Sequence, residues 1–275
     1  MIKIQNLSYK IKNRSIIKNF DLVMDKGQFI SIVGANGAGK STLLRLISGE
    51  LKPVCGEITI QGKPIASYSM KELARFRAYL HQSNTMQIPF TVEEIVAMGR
   101  YHKQGLAQPE ADIITECLNI TSLAHLRERS ISQLSGGEQQ RVHLARVLAQ
   151  LWDAQTGILL LDEPISNMDI QYQHQTLAIA KAFSKIGFLV IAVLHDLNLV
   201  AQYSDNVLMM KTGKLWWYGS PNEIFNQQNI YSIFGIDTTI SVNPANLITQ
   251  VQASPLAYTV SDFNSFYPSA VANTE

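Results

Sequence analysis

Two rhythms of apolar residues divide this chain. Met1-Ile2-Lys3-Ile4-Gln5-Asn6-Leu7 alternates like a strand with one buried face. Phe29-Ile30-Ser31-Ile32-Val33 is a short β-rich run that stops at Gly34. A glycine-rich turn follows, and Ser41-Thr42-Leu43-Leu44-Arg45-Leu46-Ile47 reads as a helix with an apolar face. Gly56-Glu57-Ile58-Thr59-Ile60 with Gln61-Gly62 predicts a strand and its turn. From roughly Pro89 to Leu151 the texture turns helical: Thr91-Val92-Glu93-Glu94-Ile95-Val96-Ala97-Met98 opens on a helix-start signal, and further helical stretches follow breaks around Gly105 and Pro109. Ile158 to Leu161 and Phe188 to Leu194 are then continuously aliphatic, as strands are when both faces of a largely parallel sheet are covered. The order predicts an α/β fold with a mixed, largely parallel sheet and a mainly helical subdomain inserted at about 88–152. From about Ala253 the chain is rich in Ser, Ala, Pro and Asn, which predicts a loosely ordered tail.

The 275 residues, 46% hydrophobic and 16% charged, suit a large folded domain. A net charge of +1 exerts no global pull on nucleic acid, and no nucleic-acid partner is expected. The first residues lack the apolar core of a signal peptide. The longest apolar runs fall well short of the ~20 residues of a spanning helix. Any link to a membrane is therefore expected to run through another protein. Cys55 and Cys117 belong to no metal-spaced cluster and are expected to be packed, reduced thiols.

Three segments carry chemistry. Gly34-Ala35-Asn36-Gly37-Ala38-Gly39-Lys40-Ser41, with Thr42 behind it, joins the predicted strand to the predicted helix. Its glycines let backbone N–H groups converge on phosphate oxygens at a helix N-terminus. Lys40 would reach the outer phosphates and the Ser41 hydroxyl would hold Mg²⁺. Ile158-Leu159-Leu160-Leu161-Asp162-Glu163-Pro164 ends a strand in two acids. There Asp162 can hold Mg²⁺ and Glu163 can act as general base on water. Leu134-Ser135-Gly136-Gly137-Glu138-Gln139-Gln140-Arg141 is a helix cap in its blander reading, and in its sharper one a second anion site.

In this order and spacing, the three segments resemble the ATPase domain of the ATP-binding-cassette family across about residues 1–235. The resemblance implies a P-loop ATPase core with an N-terminal antiparallel β part and the inserted helical subdomain, and leaves 236–275 as a C-terminal extension. It implies ATP and Mg²⁺ as ligands, and a head-to-tail dimer in which ATP lies between one copy's phosphate loop and the other's Ser135, Gly136 and Gly137. It assigns Tyr9 to stacking on adenine and Gln82 to sensing Mg²⁺. His195 contacts the γ-phosphate and attacking water, and Asp169 lies in the loop that crosses to the second copy. The catalytic set is then Glu163, His195 and Lys40, and the metal set Ser41, Gln82 and Asp162. Where the family commonly has Thr and then Ser-Ala-Leu-Asp, this chain has Ile165-Ser166-Asn167-Met168-Asp169 and keeps only the final aspartate.

One uninterrupted cassette with neither a second copy in the chain nor a coiled-coil insertion favours transport over ribosome or DNA work. Thr91 to His102 and Leu194 to Tyr203 resemble importers of iron chelates, haem and cobalamin. Gln139 to Trp152, ending Ala149-Gln150-Leu151-Trp152, looks most like haemin importers, with ferric siderophore or cobalamin as alternatives. That resemblance implies two permease subunits, a periplasmic binding protein, and a position on the cytoplasmic face of the inner membrane. His102 and His125 are expected at the surface, with no role as haem ligands.

Overall fold

The computed structural model describes residues 2–82, 89–103 and 110–256. Gly105, Pro109 and the tail beyond residue 256 lie outside the described residues. β1 (Ile2–Ile11) and β2 (Arg14–Met24) form an antiparallel hairpin. β3 (Phe29–Gly34) leads through the glycine loop into α1 (Lys40–Ile47). β4 (Cys55–Ile60) turns through Gln61 and Gly62 into β5 (Lys63–Pro64), completing an antiparallel sheet of order β2-β1-β4-β5. α2 (Met70–Ala74) and β6 (Arg77–Leu80) precede α3 (Val92–Met98), α4 (Glu110–Ile120) and α5 (Gly136–Leu151). The chain then alternates: β7 (Ile158–Asp162), α6 (Ile170–Lys185), β8 (Leu189–Val193), α7 (Leu197–Tyr203) and β9 (Asn206–Lys211). It ends in β10 (Lys214–Gly219), α8 (Pro221–Ile224), α9 (Gln227–Phe234) and a separate hairpin, β11 (Thr238–Val242) with β12 (Thr249–Ala253).

The central sheet has the order β10-β9-β3-β8-β7-β6; every pairing is parallel except β9 with β10. Its inner strands are apolar along most of their length because successive side chains enter two different cores. Leu159, Leu161, Val190 and Ala192 face a cluster shared with α3 to α7, whereas Leu160, Ile191 and Val193 face α1 and the antiparallel sheet. The helices between residues 92 and 151 therefore share one apolar core with the sheet.

Among the described residues, four helices begin on a capping box. Thr91 with Glu94 starts α3, Ser69 with Glu72 starts α2, Ser135 with Glu138 starts α5, and Ser220 with Glu223 starts α8. α3 and α5 cross so closely that a β-carbon on Gly99 would lie 2.2 Å from the Arg146 carbonyl oxygen. Two expectations are corrected here. Cys55 is exposed at the start of β4, and only Cys117 is packed, its thiol pushed up to about 12 by burial. His102 is half-buried with Nδ1 3.2 Å from the Gly99 carbonyl, while His125 is exposed as expected.

Candidate active site

Parallel strands of an open α/β sheet deliver their carboxyl ends to one edge, where the loops after them make a crevice. Gly34 ends β3, Asp162 ends β7, and Glu163, His195 and Gln82 follow the ends of β7, β8 and β6. A cleft at this edge is lined by Asn36, Gly37, Gly39, Lys40, Ser41, Thr42, Gln82 and Glu163, together with Arg14 and Ile16 from β2. Gly39, at φ 98°, starts α1 in a conformation a side chain resists. Ala38 is packed beneath the loop and the Ala35 carbonyl faces Lys40.

Lys40 donates to the carbonyls of Gly34 (2.8 Å) and Ala35 (3.2 Å). Burial lowers its pKa, and the nearby Glu163 and Asp162 carboxylates oppose that shift. The Ser41 hydroxyl donates to Asp162 Oδ1 at 2.9 Å, and the Tyr79 hydroxyl donates to Oδ2 at 3.2 Å. Burial raises the pKa of Asp162 despite both bonds, and burial together with the Asp162 charge raises that of Tyr79. Ser41 and Asp162 thus bring hard oxygen donors to one point, a donor set that suits Mg²⁺ sharing its shell with phosphate and water.

Glu163 adopts φ 50°, in the left-handed region that costs a side-chain-bearing residue energy. Its carbonyl accepts from the Ser166 hydroxyl (3.1 Å) and from Gln140 Nε2 (3.5 Å), which lock the turn after β7. Its carboxylate Oε1 lies 2.9 Å from His195 Nε2.

Not every expected residue gathers here. Tyr9 does not line the cleft; it pairs with Ile17 across the β1–β2 hairpin and packs partly against the core. Ser135, Gly136 and Asp169 lie exposed outside the cleft. The Ser135 backbone N–H and hydroxyl both donate to Glu138 at 2.8 Å within the capping box, and the two bonds, the N–H first, lower the Glu138 pKa. A β-carbon on Gly137 would lie 2.8 Å from the Asn167 carbonyl oxygen, so the divergent 165–169 segment is the backbone that the start of α5 packs on. Asp169 N-caps α6 by position but spends no side-chain hydrogen bond there. Tyr79, Gln140, Arg14 and Ile16 were missed by motif reading. Nothing in a linear pattern reports that Tyr79 stands beside Leu160 in the β6–β7 register.

The sequence profile described as ABC transporter matches residues 17–166. Hemin import ATP-binding protein HmuV of Rhodopseudomonas palustris is 40% identical over 248 residues, spanning 89% of this chain and 91% of the relative. Its namesake from Gloeobacter violaceus is 41% identical over 249 residues, spanning 89% and 90%. Among solved structures, an inward-facing ABC transporter of metal-chelate type shares the fold at 22% identity, with a TM-score of 0.75 over 92% of this chain and 97% of that one. A dimeric ATP-binding cassette bound to ADP and phosphate after hydrolysis is 25% identical, with a TM-score of 0.71 over 80% and 99%. No helix among the described residues is long and apolar enough to cross a membrane. In sequence, in fold and in the crevice that its parallel strands build, this chain belongs to the ABC transporter family, as one of its ATP-hydrolysing subunits.

Proposed function

We propose that this subunit powers haemin import and that Glu163 is its general base. The observation that carries the cargo is identity of about 40% over nine-tenths of the chain with proteins named for hemin import. In this reading residues 1–235 form the cassette, with the helical subdomain inserted at about 88–152, and 236–275 extend it.

ATP phosphates would lie along the backbone from Gly34 to Thr42, with Tyr9 stacking on adenine. Lys40 exchanges its two carbonyl partners for phosphate oxygens, a swap its partial burial favours because the charge is already stripped of water. Ser41, Asp162 and Gln82 would hold Mg²⁺, which when bound neutralises charge on the phosphate oxygens. Glu163 takes the proton of the attacking water. His195, within hydrogen-bond reach of Glu163, aims that carboxylate and meets the transferring phosphoryl together with Lys40. Ser135, Gly136, Gly137 and Asp169 of a second copy would complete the site across a head-to-tail dimer. Two transmembrane permease subunits and a periplasmic binding protein would carry the cargo, with this chain on the cytoplasmic face of the inner membrane and no nucleic acid involved.

The test is ATP-driven uptake in proteoliposomes that hold this chain with its permease and binding protein, offered haemin, a ferric siderophore and cobalamin in turn. Haemin should accumulate, and accumulation should vanish in Glu163→Gln, whose turnover should fall by ~10²–10⁴-fold. Uptake of another chelate in place of haemin overturns the cargo; near-normal turnover in Glu163→Gln overturns the base.

A further inference from the structure

The β11–β12 hairpin lies beyond the segment that the family profile matches, yet it reaches back to the active edge. One edge of β12 pairs with β11. Asn198 of α7 meets the other: it donates from Nδ2 to the Val251 carbonyl (3.1 Å) and accepts at Oδ1 from the Val251 N–H (2.8 Å). A carboxamide carries the same donor and acceptor as a peptide unit, so Asn198 pairs with β12 much as a neighbouring strand would.

What Asn198 holds is the support of His195. Asp196 caps α7, accepting from the N–H groups of Asn198 (2.8 Å) and Leu199 (3.0 Å), and His195 directly precedes it. α7 has only seven residues, too few to fix its own orientation, so its aim depends on what grips it. At its far end the Tyr203 hydroxyl meets His174 Nδ1 of α6 at 2.8 Å. The hairpin is anchored independently of α7: Asn222 of α8 donates to the Leu247 carbonyl at 3.2 Å and accepts at Oδ1 from the Thr249 hydroxyl at 2.5 Å.

We propose that Asn198 is a positioning residue, through which the C-terminal hairpin holds α7 and keeps the His195 imidazole aimed at Glu163. This rests on the reading of His195 as part of the hydrolytic site.

The experiment uses the full chain with two variants that break the same link from opposite sides. Asn198→Ala removes both bonds, and Val251→Pro removes the N–H donor while leaving α7 untouched. Both should lower kcat, on the order of tenfold, at an unchanged KM for ATP, because misaiming a catalytic group costs rate more than ground-state binding. Both should also move the His195 imidazole NMR resonance, identified by its loss in His195→Ala, and leave that of His125 in place. Loosening of the C-terminus alone would lower Tm without moving the His195 resonance, and that result overturns the proposal. So does an unchanged kcat in both variants while His195→Ala is inactive. Wild-type turnover in His195→Ala would instead remove the reading of His195 on which the proposal stands.

Discussion

Asp162 and Glu163 are adjacent in sequence but stand in different electrical surroundings. Asp162 ends β7 with 3% exposure, held by Ser41 and Tyr79, while Glu163 turns out of the strand toward His195. A buried carboxyl with a raised pKa binds its proton more tightly in the folded chain than in the unfolded one. The folded state is therefore penalised above the folded pKa and relieved of the penalty below the unfolded one. Asp162→Asn removes the charge, so in the nucleotide-free protein it should raise Tm by a few degrees near neutral pH. The gain should shrink as pH falls through the carboxylate range, and Mg²⁺-dependent hydrolysis should be lost at every pH. Thermal melts of the two proteins across pH test this; a variant less stable than wild type at neutral pH would contradict it. The stability given up at this position fits a group kept for chemistry and not for packing.

At the scale of elements, the crossing of α3 and α5 is fixed by what is absent from Gly99. Its backbone is ordinary right-handed helix, φ −58° at the end of α3, so conformational freedom does not explain it. The Arg146 carbonyl fills the space a β-carbon would need. Gly99→Ala must therefore push the helices apart, at a cost of about 1–3 kcal/mol typical of overpacking. Chemical denaturation should report that loss. Stability equal to wild type would mean that the crossing yields without strain. The same pair of helices is pinned nearby, where Arg100 is buried and donates to Asp153 at 2.7 Å and to the Ala149 carbonyl at 2.9 Å. The Arg100 bond, joined by one from Lys103, holds the Asp153 carboxyl well below the ordinary range.

Across the whole molecule, one sheet separates two cores, and every residue proposed for hydrolysis sits at its carboxyl edge. Ser135, Gly136 and Asp169 lie exposed outside that cleft in the same chain, a division that a head-to-tail dimer would close. With MgATP, Glu163→Gln should accumulate as a dimer in light scattering, because bound ATP holds the halves together and is not consumed. Without nucleotide it should not. A variant that stays monomeric at saturating ATP would sink the shared-site reading.

Legible in linear order were the glycine loop after β3, the paired acids after β7, the Ser-Gly-Gly segment that opens α5 and the apolar strands that separate them. Each of these is local: a glycine spacing, a strand period or a capping residue acts over fewer than about ten neighbours, so it is written in linear order. His195 and Gln82 are placed at the carboxyl edge for the same reason, since each comes two residues after the end of a strand. Long-range packing alone sets Tyr79 beneath Asp162, locks Glu163 in a left-handed turn through Gln140, and packs Asn167 under Gly137. The same packing lets a hairpin near the chain's end grip α7 through Asn198. These contacts join residues brought together by strand register and helix crossing, and those depend on how two cores fill space, which no local spacing encodes.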